Sequence, residues 1–132
     1  MEHLAILSSK LGLFDKILSG EKTIESRWYF NKKTPYRNIH PGEVIYFKEG
    51  KRFAKAIVEK AMFFELTDKK IKELLSEYGD RLGVGIEFFD RIKGKRYGTL
   101  IFIKDAKEVK PFHVPFSRAA WITKEKITVP IL

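Results

Sequence analysis

Two long strand-forming runs, residues 53–64 and 97–109, constrain this chain more than any other feature. In the second, Leu100, Phe102 and Lys104 alternate against Ile101 and Ile103, the period of two that a sheet requires. Shorter runs at 3–8, 23–29 and 43–48 read the same way, and Glu49-Gly50-Lys51 is a hairpin turn into the longer strand. Phe14, Ile17 and Leu18 fall at helical spacing and stop at Gly20, where a left-handed cap is wanted. Thr67 caps a helix with the stripe Ile71, Leu74, Leu75 and Tyr78, and Ile86, Phe89 and Ile92 mark a shorter one. From Pro111 onward the chain reads as a strand or extended arm closing the sheet. The sum is α+β: a small mixed β-barrel of about five to six strands with two to three flanking helices, one domain over residues 1–132.

Composition narrows the function classes. An apolar content of 44%, with 14% aromatic, can build a core and excludes a disordered chain. Cysteine is absent, which removes disulfides, thiolate metal sites and thiol nucleophiles together. The three histidines, His3, His40 and His113, lack metal-ligand spacing, so neither a metal nor another cofactor is expected. Two of them meeting as the acid and base of a ribonuclease is a minor alternative without support from their spacing. No run is long and apolar enough for a membrane span, the N-terminus does not read as a signal peptide, and the expected location is the cytoplasm. Abundant Lys and Glu without any Gln is a composition seen in proteins that work hot. The formal charge of +9 suits a polyanionic partner as well as plain solubility. The oligomeric state is not legible.

Residues 20–27, Gly-Glu-Lys-Thr-Ile-Glu-Ser-Arg, carry the chemistry. Strand alternation puts Thr23, Glu25 and Arg27 on one face and Lys22, Ile24 and Ser26 on the other. With Ile24 in the barrel core, Glu25 and Arg27 look into a cleft, and Lys22 reaches the same space from the turn after Gly20. A guanidinium offers a planar fork to phosphate or a base edge, an ammonium a point charge, and a carboxylate an acceptor or general base. The alternative is that Glu25 and Arg27 simply pair and tie the fold together. The segment is not a phosphate loop, because the upstream glycine is missing.

The helix ending in glycine, followed by Gly20-x-Lys22-x-x-Glu25-x-Arg27, resembles the signature of the ASCH family, relatives of the PUA domains. Agreement continues through Pro41-Gly42, a strand ending in Lys48, a longer strand, helices and a final strand pair. The resemblance implies a PUA-like barrel with a helix-lined cleft that binds RNA or a nucleotide-like ligand. Some bacterial relatives are small amidohydrolases that deacylate an acetylated cytidine with a Lys, a Thr and a later Glu. Here the Lys falls on Lys22, the Thr position holds Glu25, and Asp80 is the nearest acid, so the resemblance supplies Lys22, Glu25 and Asp80 as catalytic candidates only under that alternative.

Further ligand-binding candidates are Thr23, Lys48 and Arg118, the last an isolated arginine in an apolar tail whose acid partner, when buried, would be Glu25. Lys32, Lys33, Tyr36 and Arg37 form a basic, aromatic rim suited to phosphate contact and base stacking, with Tyr36 expected to be exposed. Lys93, Lys95 and Arg96 read as solvated turn residues.

Overall fold

The computed structural model describes residues 1–114 and 117–127. The strands are β1 (Glu2–Ile6), β2 (Ile24–Tyr29), β3 (Val44–Glu49), β4 (Arg52–Glu65), β5 (Tyr97–Val109) and β6 (Trp121–Lys124). The helices are α1 (Leu13–Ser19), α2 (Asp68–Leu82) and α3 (Phe89–Ile92), with 3₁₀ turns at Ser9–Leu11 and Ile86–Phe88. One six-stranded sheet runs in the order β2-β5-β4-β3-β1-β6; β1 and β3 are parallel and every other pair antiparallel. This is the mixed α+β barrel architecture expected from the strand pattern, curled as a half-barrel. Two register shifts between β4 and β5, at Lys55/Ile57 and Val58/Lys60, bend the long strands and supply the curl.

The alternation in β5 is apolar on both sides because both sides are covered. Ile101 and Ile103 face the concave interior with Ile45, Phe47, Ala54 and Ala56, and Phe14 and Ile17 of α1 plug its end. Leu100 and Phe102 face outward under α2, against Ile71, Leu74, Leu75 and Leu82. Ile24 belongs to this helix-covered layer and not to the barrel interior as expected. The reason is register: Ile24 pairs with Phe102, and directly opposed residues share a face. The hydroxyl of Thr67 accepts from the N–H of Lys70 and starts α2.

A third cluster, Leu4, Tyr46, Phe53 and Ile127, lies on the other side of β1 and β3, with Phe112 and Val114 packed against it. The expected closing arm is β6, antiparallel to β1; residues 115–116 and 128–132 of that tail lie outside the described residues. Among the described residues no helix is long and apolar enough to cross a membrane.

Candidate functional site

Gly20, in the left-handed region at φ 82°, ends α1 and turns the chain so that the N–H of Lys22 reaches the carbonyl of Lys16 at 2.9 Å. That turn drives the Lys22 side chain inward. It is 2% exposed, and its Nζ donates to the carbonyls of Ile24 (2.6 Å) and Leu82 (2.8 Å), with Glu25 Oε1 at 3.4 Å. Gly83, at φ 78° beyond the end of α2, lets the lysine stem pass. A Cβ there would stand 3.4 Å from Lys22 Cβ and 3.3 Å from Lys16 Cδ. Burial pulls the Lys22 ammonium below its ordinary pKa, and the neighbouring carboxylate offsets only part of that.

Glu25 is 3% exposed. Its Oε1 accepts from the N–H of Ser26 at 2.8 Å, and its Oε2 lies 3.4 Å from an Arg27 guanidinium nitrogen. Burial alone would raise its pKa. The charges of Lys22 and Arg27, with the Ser26 N–H, outweigh burial and hold the carboxyl below its ordinary range. The guanidinium of Arg27 then spans the open seam of the half-barrel. Its Nη2 donates to Ile6 O at 3.1 Å and its Nη1 to Ala120 O at 3.5 Å, while its centre lies 5.2 Å from the Trp121 ring. Its Nε is buried without a hydrogen-bond partner among the described residues.

Glu25 and Arg27 therefore clasp each other and also line a hollow. The cleft between the β2 edge and the end of α2 encloses about 290 Å³. Lys22, Glu25, Ser26 and Arg27 contribute its polar side; Leu13, Trp28, Leu82, Val84 and Phe88 contribute apolar wall. Ser26 Oγ accepts from the Trp28 indole N–H at 2.9 Å and fixes that ring. Phe88 and Leu82 had no signal at the sequence level, since only the fold brings helix ends to this strand edge.

The other expected site residues separate. Thr23 is outside the cleft lining because its hydroxyl accepts from Arg81 Nε at 2.9 Å. Asp80 lines a different hollow of about 440 Å³, with Lys16, Glu21 and Arg91, so it does not join Lys22 and Glu25. Lys48 and Arg118 line a third hollow of about 410 Å³, which shares Ile6 and Ala120 with the cleft. Arg118 is exposed and is not the partner of Glu25, whose charge Lys22 and Arg27 already meet. Lys48 donates to Gly50 O at 2.6 Å.

In the basic loop, Lys33 stands over Tyr29, Lys32 over Tyr97 and Arg37 over Tyr36. Tyr36 is buried at 8% exposure, contrary to expectation, because its ring meets Phe63 and Tyr97 edge-on. Of the Trp28-Tyr29-Phe30 run, Trp28 is buried, Tyr29 borders the cleft, and Phe30 is exposed.

Two histidines do share an acid: Glu43 Oε1 lies 2.9 Å from His3 Nε2 and 3.7 Å from His40 Nδ1. His3 is fully buried, however, which denies it to a substrate. Its Nδ1 accepts from the Trp121 indole N–H at 3.3 Å and faces Thr123 Oγ1 at 3.0 Å, so the Nε2–H tautomer donates to Glu43. Burial lowers its pKa despite Glu43. A histidine held neutral contributes stability above its ordinary value near 6.5 that is lost as pH falls through the lower folded value. Glu25, also lowered, adds a second loss below about 4.5. The His3 and Glu25 contributions to the urea midpoint should therefore decline in acid, beginning below about 6.5. His3→Gln should remove the first part of that decline; an unchanged acid profile in this variant would disprove the assignment.

No protein-family model matches the chain, and no curated protein matches it by sequence. Among solved structures, ASCH from Zymomonas mobilis superposes with a TM-score of 0.63 at 18% identity, over 83% of this chain and 71% of that one. The hypothetical protein PH0355 superposes with a TM-score of 0.52 at 22% identity, over 79% of this chain and 98% of that one. The fold is ASCH-like.

Proposed function

We propose that this ASCH-like domain is an RNA- or nucleotide-binding module whose cleft takes one nucleotide-like group. The observation that carries the reading is the charged trio at one cleft wall, Lys22, Glu25 and Arg27, with the Arg27 guanidinium held in place there by Glu25 and two carbonyls. A volume of about 290 Å³ is at the small end of ligand pockets and suits a single base with its sugar better than a large ligand. Trp28 and Phe88 supply wall for an aromatic base, while Arg27 supplies a fixed positive charge beside it. Lys48 and Arg118, in the adjoining hollow, suit a phosphate continuing from that base, and Lys32, Lys33 and Arg37 form the electrostatic rim.

Contact with some four phosphates would make log K fall against log salt with a slope of about −3 for a single strand. A flat salt response in a fluorescence titration removes the polyanion. Arg27→Lys keeps a cation near Glu25 but loses the planar fork, and should weaken binding by ~1–3 kcal/mol. Unchanged affinity in a folded variant would reduce Arg27 to scaffold.

A further inference from the structure

Phe30 is the one large aromatic side chain left open among the described residues, at 56% exposure. It follows Tyr29, a cleft-lining residue, on β2, which is an edge strand of the sheet. One basic loop follows it in the chain and another reaches its ring. Residues 31–33 carry Lys32 and Lys33; residues 93–96 carry Lys93, Lys95 and Arg96. The second loop is anchored beside the first by the Arg96 N–H on Tyr29 O at 2.9 Å. The Lys95 ammonium stands 4.1 Å from the Phe30 ring centroid, and Lys33 stands 5.4 Å from that of Tyr29.

Two of the acids nearby are already engaged. Asp68 accepts the Gly94 N–H at 2.8 Å, and Asp90 lies 3.7 Å from Lys93. Among the described residues Lys32, Lys33 and Lys95 have no carboxylate partner; their ammonium groups sit over rings instead. An exposed ring fringed by uncompensated cations is what unpaired bases and their phosphates use together, whereas a duplex hides the base faces. We infer that Phe30, with Lys32, Lys33 and Lys95, is a stacking platform for a single-stranded RNA whose neighbouring nucleotide occupies the cleft. This rests on the cleft reading above and extends it, from a nucleotide-like ligand to a strand.

The test uses a fluorescein-labelled single-stranded adenylate decamer and, separately, adenosine monophosphate, both at low salt. Phe30→Ala should weaken the decamer roughly tenfold, as loss of one stacked base would, and leave the mononucleotide unchanged. Phe30→Trp should hold decamer affinity at or above that of the parent protein. Charge reversal at Lys33 and Lys95 should flatten the salt dependence of the decamer alone. Decamer affinity unchanged by Phe30→Ala overturns the platform, and the cleft reading survives that result if Arg27→Lys still weakens both probes. Loss of both probes in Phe30→Ala also overturns it, because the ring would then belong to the cleft. A decamer weakened by Phe30→Ala but indifferent to Arg27→Lys overturns the inference, because no neighbouring nucleotide then occupies the cleft.

Discussion

Replacing Lys22 by Met is expected to cost the fold about 3–5 kcal/mol, although the two side chains are similar in length and the position is buried. The thioether would fill much of the space of the stem, so packing loss is the smaller effect. What disappears is the donor set serving Ile24 O, Leu82 O and Glu25. Two carbonyls and a buried carboxylate would lose a partner at once, and an unsatisfied buried acceptor costs about 1–3 kcal/mol on its own. Glu25 would keep the Ser26 N–H at 2.8 Å and Arg27 at 3.4 Å but lose one of its two cations, itself at 3.4 Å. Adding Glu25→Gln to Lys22→Met should recover part of the loss, since the stranded charge is then gone. Urea denaturation of the two variants checks this, and a Lys22→Met cost below about 1 kcal/mol would contradict it. The same geometry bears on the amidohydrolase alternative. The Lys22 Nζ is already committed to two carbonyls and Glu25, and Asp80 lies in another hollow, so the candidate catalytic set is not assembled around one cavity; the lowered pKa of the buried lysine is the one feature that favours this alternative. Hydrolysis of acylated cytidines to cytidine and the free carboxylic acid, abolished in a folded Lys22→Met protein, would reverse that ranking.

The fold was legible where one residue pattern had one structural solution. Tyr97–Val109 could be read to the residue, and the caps at Gly20 and Thr67 follow from backbone chemistry alone. The layers were harder. Alternation tells which residues share a face, but not which face is the inside of a curl, so the pattern alone does not show that Ile24 belongs under α2 and not in the barrel. At the site, Lys22, Glu25 and Arg27 meet because they lie within six residues of one another, so their proximity is legible from the local motif. Long-range placement was beyond it. Arg118 and Asp80 depend on how the β5–β6 connection and α2 cross the sheet, and each ended in a hollow of its own. Tyr36 reads as exposed because its neighbours are charged, but Phe63 and Tyr97, on two strands much later in the chain, come within reach of its ring only after folding.

Trp121→Ala should be comparably damaging, lowering stability by about 3–5 kcal/mol and the melting temperature by roughly 10–20 °C. The indole is buried on β6, opposite Ala5, and packs into the interior cluster. It also has two polar neighbours: its N–H donates to His3, and its face carries the Arg27 guanidinium. Arg27 is the link between the β2 edge and the β1–β6 end, through Ile6 O and Ala120 O. Removing the ring therefore removes the platform of the residue that bridges the seam, and ligand affinity should fall with stability. Trp121→Phe separates these effects. It keeps a ring in the interior and under Arg27 and gives up the N–H, for an expected loss of about 1 kcal/mol beyond any repacking. Calorimetric melts in which the Ala and Phe variants agree within about 2 °C would mean that neither burial nor the Arg27 stack matters here. A wide gap between them, with ligand binding kept in the Phe variant, would tie the seam to the aromatic face itself.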